Sequence, residues 1–324
     1  MKIHFLTHMA RSGSTLLARE LDRYSNVSVT IEENLPDGIA RGAKVLLRNP
    51  GDLDAYLDQA WHDDKLVSWG VDRHTLRREL MESHHFPFFF RDILSALTRL
   101  YFQENPPQCV IHKKGPYYLH AEAVRRAFPG SRMVHVDRDP RAIYNSQKRT
   151  RQSDGAGSMA EPVVTFAFQY LASCEVMERN QGEPDFLVVR YENLLDDPEG
   201  ETLRILNFLG QKPGSREQSR YVGRIPSDQQ HMHGNLDKDM MDGRRSAWKE
   251  ELAPEEIVFL QKALKRTLQK KGYPLVDISL SGFAAWLRTR FRLAFFYLKY
   301  AAKRHMPGLY QWIKANTTRK QVDS

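Results

Sequence analysis

The chain has 324 residues, of which 41% are hydrophobic and 27% charged, the ordinary globular range and enough for one large α/β domain or two smaller ones with a sizeable core. Its two cysteines, Cys109 and Cys174, are too few for a disulfide framework and lack metal-site spacing, which points to a reducing compartment. The net charge of +8 sits wholly between Phe283 and Ser324, where nine Lys and Arg face one acid, Asp323; a neutral body with a basic tail excludes a generally nucleic-acid-binding surface and gives the tail a task of its own.

The opening MKIHFLTHMARSG holds too short an apolar run for a signal peptide or membrane anchor, so a cytoplasmic start is expected. KIHFLT predicts a first strand, MARSGS a turn, and STLLARELDRY an amphipathic helix with apolar residues at helical spacing. NVSVTIEE predicts a second strand that ends on two carboxylates. Between Asn34 and Pro107 the pattern is mixed, with helices expected around Asp52 to Gln59 and Phe90 to Phe102; the HHFPFFF stretch between them reads either as core or as the lining of an acceptor pocket.

Regularity returns with CVIHK as a strand, YLHAEAVRRAF as a helix, SRMVHVD as a strand and PRAIYNSQKR as a helix opened by its proline. FLVVRY supplies another strand, and DDPEGETLRILNFLG a helix that starts on acids and stops at Gly210. Alternating strands and helices predict an α/β fold with a P-loop-like central parallel sheet flanked by helices, carrying a helical insert over about 35–107. Gly210 to Trp248 reads as polar loop, and PEEIVFLQKALKRTLQKKG as the last core helix. The expected division is a main domain at 1–279 and a basic amphipathic C-terminal segment at 280–324.

Two stretches carry candidate chemistry. THMARSGST lies between the first strand and the first helix, where backbone N–H groups and a helix N-terminus can cradle a phosphate. Gly13 permits close backbone approach, and Arg11, Ser14 and Thr15 offer a charge and two hydroxyls. His8 stands where a Walker A loop has its first glycine and Ser14 where it has lysine, which counts against an NTP-hydrolysing or kinase reading. The alternative is a plain strand-to-helix turn. In VHVDRDPRAIYNSQKR, Arg138 ends a strand and Ser146 lies about two helical turns further on, a pair suited to a second phosphate; the alternative is a salt bridge plus a helix start. His231 and His233 have a metal-like look but no third ligand of suitable spacing, so no metal is expected.

RSGST after the first strand, RDPRAIYNS, and the later VRYENLLDDPEGETLRILNFLG together resemble, in type and order, the sulfotransferases that use 3'-phosphoadenosine 5'-phosphosulfate (PAPS). The resemblance leaves Asn34 to Pro107 and the chain after Ser279 uncovered. It implies that Arg11, Ser12, Gly13, Ser14 and Thr15 hold the 5'-phosphosulfate of PAPS and that Arg138 and Ser146 hold its 3'-phosphate. Cytosolic members carry a catalytic histidine two residues before a proline; IHKKGP has Lys114 there, which is similar to the tyrosylprotein and Golgi carbohydrate branch. That branch uses a strand-end glutamate as base, matched by Glu33 in TIEEN, and a tyrosine near the donor, matched by Tyr191 in VRYENL. GRRSAWKEEL resembles a late segment that closes over the 3'-phosphate, with Asp242 where that segment has lysine and Arg244 or Arg245 as substitutes.

The implied activity is transfer of a sulfuryl group from PAPS to a hydroxyl of a glycan, a glycolipid or another membrane-associated acceptor. Glu33 is expected to take the acceptor proton, with a carboxyl raised by apolar neighbours or Glu32, while Lys114 and Arg11 stabilise the moving sulfuryl and the leaving oxygen. Glu32 and His112 are the next candidates for the base. The alternatives are tyrosine O-sulfation of a peptide and a non-catalytic nucleotide-binding membrane adaptor. The tail mixes aromatic residues with Arg and Lys through residues 283–320; it reads either as an interfacial helix on anionic lipid, which would put the protein peripherally on the inner membrane face, or as a helix packed on the body.

Overall fold

A computed structural model describes residues 2–36, 45–83, 85–150, 157–225 and 243–305. His231, His233, Asp242 and the tail beyond His305 lie outside the described residues. In chain order the elements are β1 (Lys2–His8), α1 (Ser14–Leu21), β2 (Val27–Val29), β3 (Leu46–Leu47), α2 (Pro50–Ala60), α3 (Asp64–Val67), α4 (Arg73–Ser83), β4 (Phe88–Phe89), α5 (Phe90–Tyr101), β5 (Cys109–Lys113), a 3-10 turn (Gly115–His120), α6 (Ala121–Ala127), β6 (Met133–Asp137), α7 (Pro140–Arg149), α8 (Val163–Arg179), β7 (Phe186–Arg190), α9 (Tyr191–Asp196), α10 (Pro198–Phe208), α11 (Gly243–Ser246), α12 (Trp248–Glu251), α13 (Pro254–Ala263), α14 (Lys265–Lys270) and α15 (Phe283–His305). They fall into two compact units, one of residues 1–138 and 176–241, the other of residues 139–175 and 242–324.

The first unit is built on a five-stranded parallel sheet in the order β2-β5-β1-β6-β7. Every residue of β5 and β6 is buried, as are residues 4–8 of β1, so these strands read as near-continuous apolar runs, as strands covered on both faces do. Helices α1, α9 and α10 pack on the sheet strands and on one another. The predicted α/β architecture is the observed one. Because all five strands run parallel, their carboxyl ends gather along one edge, and from β1 the chain builds first to one side, with β2 and β5, and then to the other, with β6 and β7, the kind of switch point where open α/β sheets bind ligands.

The insert is mainly helical, from α2 to α5, with β3 and β4 pairing antiparallel through Leu46 with Phe89 and Leu47 with Phe88. Of the phenylalanine cluster, Phe88 and Phe90 are core and Phe89 is exposed. Several helices start on a side-chain cap directly before a proline: Asn49 accepts from Asp52 N, and Asp197 from Gly200 N. Gly210, with φ 70°, closes α10 in the left-handed region.

In the second unit α7 begins the same way, with Asp139 accepting from Arg141 N. The Arg141 side chain is wholly buried: it forms a two-pronged pair with Asp139, donates to Gln261 Oε1 and Pro274 O, and lies 4.0 Å over the Trp248 ring. Asp139 and Arg141 of the RDPR string therefore serve the structure of this unit. The last core helix is divided at Leu264 into α13 and α14.

Candidate functional site

Of the residues singled out from the sequence, Arg11 to Thr15, Lys114, Arg138 and Tyr191 lie at or just past the carboxyl ends of the parallel strands. After β1 the chain makes a tight loop in which Ser12 N donates to Met9 O at 3.1 Å. Arg11 at φ 72° and Gly13 at φ 99° both sit in the left-handed region, a strained conformation for Arg11 and an accessible one for Gly13. Ser14 and Thr15 then open α1. Ser12 is fully buried, and its Oγ has no hydrogen-bond partner among the described residues. A buried hydroxyl left unpaired costs about 1–3 kcal/mol, which fits a loop shaped to receive a polar ligand.

Arg138, at the end of β6, locks this loop to β7. Its Nη1 donates to Arg11 O at 3.3 Å, and its guanidinium lies 4.1 Å from the centre of the Tyr191 ring at the end of β7. Tyr191 in turn rests against Gly13, so closely that a β-carbon there would come within 2.1 Å of Tyr191 Cδ2. Arg11, Gly13, Arg138 and Tyr191 are thus brought into one connected set. Ser146 lies on α7, and Arg244 and Arg245 on α11, all in the second unit; Arg244 Nη1 is 4.0 Å from Glu251.

A second cluster forms where β2 and β5 end. Lys113 Nζ is 3.3 Å from Thr15 Oγ1 and 3.2 Å from Glu32 Oε1. Burial alone would depress the Lys113 ammonium, but Tyr221 and Glu32 outweigh it and hold it above the ordinary lysine value. Glu32 Oε1 also meets His8 Nε2 at 3.2 Å, and His8 Nδ1 lies 3.1 Å from Met9 O. Burial raises the Glu32 carboxyl; Lys113 and His8 together bring it well below the usual carboxylate range.

Glu33 behaves differently from its expectation. Its side chain is 1% exposed, against 28% for Glu32. His112 Nε2 meets Glu33 Oε1 at 3.1 Å, Tyr117 OH donates to the same oxygen at 3.3 Å, and Leu35 N donates to Oε2. The ionised Glu33 carboxylate can only accept, so His112 Nε2–H donates to it, and His112 Nδ1 faces Thr30 Oγ1 at 3.2 Å, an oxygen that also accepts from Lys113 N. Burial pushes the Glu33 carboxyl up, but the His112 hydrogen bond, the Lys114 charge and the Leu35 N–H outweigh it and hold it at about 2. The raised carboxyl expected of a base at Glu33 is not what the fold provides, because these donors all favour the charged form.

The two lysines also part company. Lys114 Nζ donates to Asn34 Oδ1 at 2.6 Å, whereas Lys113 is the one that meets the loop. Lys113 and His8 went unselected in the sequence, although both end strands and flank the residues that were selected. Gly115 lets the chain after Lys114 pass close to His8, whose carbonyl oxygen a β-carbon there would meet at 3.0 Å. Among the described residues no three His, Cys, Asp or Glu side chains converge on a metal position.

The sequence profile of the sulfotransferase family matches residues 5–212, well over half of the chain. The chain belongs to the sulfotransferase family. Two solved structures are similar to this sulfotransferase. One is the sulfotransferase domain from the Curacin biosynthetic pathway, 16% identical with TM-score 0.53 over 85% of this chain and 99% of that one. The other is the sulfotransferase domain from the Synechococcus PCC 7002 olefin synthase, 19% identical with TM-score 0.56 over 85% of this chain and 96% of that one. At these identities the likeness is one of fold, with the P-loop-like sheet in common. No curated protein matches the chain.

Proposed function

We propose that this sulfotransferase takes PAPS as donor and moves its sulfuryl group to a hydroxyl of a glycan or glycolipid. The donor reading is carried by one observation: the strained loop with its unpaired Ser12 hydroxyl is tied through Arg138 and Tyr191 to the ends of β6 and β7. Residues 11–15 would hold the 5'-phosphosulfate. Arg138 would hold the 3'-phosphate.

Transfer forms a bond between the acceptor oxygen and sulfur and breaks the bond from sulfur to the 5'-phosphate oxygen, while the acceptor proton passes to a base. Glu32 is assigned as that base in preference to Glu33. Both carboxyls are held below the usual range, so the choice rests on exposure: Glu32 is the more exposed of the two, with His8 Nε2 and Lys113 Nζ as its partners. Lys113 and Arg11 supply positive charge for the leaving oxygen, and Lys114 beside Asn34 supplies it on the acceptor side. Glu33, sealed under His112, Tyr117 and Leu35, ties the segment after β2 to the end of β5.

The donor reading is tested by thermal shift and by transfer of labelled sulfate. PAPS or 3'-phosphoadenosine 5'-phosphate should raise the melting temperature, and ATP should not; stabilisation by ATP alone would overturn the reading. Labelled product formed from a fractionated cell extract should run with the glycan or glycolipid fraction. Label confined to tyrosine peptides would replace that acceptor class.

A further inference from the structure

The helix α15 has two apolar faces, and its packing accounts for only one of them. Ala285, Thr289, Leu293 and Phe296 are buried at helical spacing on the side turned to α13. Phe296 stands edge-on to Phe259 at 5.9 Å and lies 4.8 Å from Phe168, Tyr297 OH donates to Lys262 O, and Arg288 pairs with Glu255. On the opposite side Phe283, Leu287, Phe291, Ala294 and Leu298 recur at intervals of four, four, three and four, a stripe running about 23 Å at 1.5 Å per residue. These residues face solvent: Phe283 is 74%, Phe291 67% and Leu298 64% exposed.

Charge says what covers this face. From Phe283 to His305 the helix carries Arg288, Arg290, Arg292, Lys299, Lys303 and Arg304 and no acid. Arg290 lies over the Trp286 ring at 4.9 Å and borders the apolar stripe, while Arg288, paired with Glu255, and Lys299, over Phe295 at 5.4 Å and Phe168 at 5.7 Å, lie nearer the face turned to the body. Two such helices set face to face would oppose like charges along their length, which disfavours a second copy of this chain as the occupant. Among the described residues no helix is long and apolar enough to cross a membrane. An apolar stripe bordered by Arg and Trp suits a helix lying in the headgroup layer of an anionic bilayer.

We propose that the outward face of α15 docks on an anionic membrane surface, independently of the donor bound by the sulfotransferase fold. The test is co-sedimentation of the full chain with vesicles of phosphatidylcholine and with vesicles that also contain phosphatidylglycerol. The full chain should bind the mixed vesicles, bind phosphatidylcholine alone weakly, and lose binding as salt is raised. Phe291→Glu with Leu298→Glu changes only exposed positions, so its melting temperature and its response to 3'-phosphoadenosine 5'-phosphate should match the parent, while its binding to mixed vesicles should fall at least tenfold. Arg290→Gln should weaken binding by roughly fivefold. The proposal is overturned if the full chain ignores the mixed vesicles or the double variant binds as the parent does. Loss of binding on removing residues 306–324, with the double variant unaffected, also overturns it. So does a dimer that the double variant converts to monomer, since a second copy would then cover the face.

Discussion

The ring of Tyr191 fills the space a side chain at position 13 would need. A β-carbon on Gly13 would stand 2.1 Å from Tyr191 Cδ2, and the Gly13 backbone has φ 99°, where L-residues are strained. The loop after β1 and the end of β7 are therefore fitted to each other through a residue without a side chain.

Gly13→Ala should displace either the loop or the ring. The expected cost is on the order of 1–3 kcal/mol in stability, together with a loss of affinity for 3'-phosphoadenosine 5'-phosphate of tenfold or more, read by urea denaturation and calorimetry. Because the clash involves one partner, Tyr191→Ala in the same chain should recover part of the stability loss. Additive effects of the two substitutions would show that the contact is unimportant.

Arg138 combines a hydrogen bond to Arg11 O with a stack on Tyr191. A lysine keeps the charge but loses the planar fork, so Arg138→Lys should weaken nucleotide binding by about tenfold while far-UV circular dichroism stays unchanged. Undiminished affinity in the lysine variant would remove Arg138 from the donor site.

The two glutamates should separate in kinetics. Glu32→Gln removes the more exposed carboxylate and is expected to lower kcat about a hundredfold in a labelled-donor assay, with little change in nucleotide affinity. Glu33→Gln should act mainly on stability, because it weakens the hydrogen bonds to His112, Tyr117 and Leu35 N. A large kcat loss in Glu33→Gln with unaltered stability would reverse the assignment.

The depressed Glu33 carboxyl also sets a pH dependence. Its value in the fold is about 2 against an ordinary 4.5, so its contribution is fully present above pH 4.5 and is lost as the pH falls toward 2. For a carboxyl this buried the amount is on the order of 3 kcal/mol. Urea midpoints recorded between pH 7 and pH 3 should fall for the parent and fall less for Glu33→Gln.

Much of this architecture was legible in the chain. CVIHK and PRAIYNSQKR coincide with β5 and α7 because a short buried strand and a proline-opened helix with an Asp cap are written in local residue types. The helix α8 escaped notice because VVTFAFQYLASCEVMER is apolar around most of its circumference and opens with β-branched residues, so neither a helical stripe nor a strand alternation stands out.

The sequence by itself determined that an Arg-Ser-Gly loop follows the first strand, that an arginine follows β6, and that paired acids and paired lysines come after the cores of β2 and β5, although β2 itself stops at Val29, short of the acids. Only the tertiary structure decided which member of each pair meets the loop. Glu32 and Lys113 turn to His8 and Thr15, while Glu33 and Lys114 turn to His112 and Asn34. That choice depends on how β1, β2 and β5 register against one another, a relation between segments far apart in the chain that residue types at one position do not encode. The same holds for α15, whose composition announced a basic amphipathic helix and whose packing on α13 left the stripe from Phe283 to Leu298 outside.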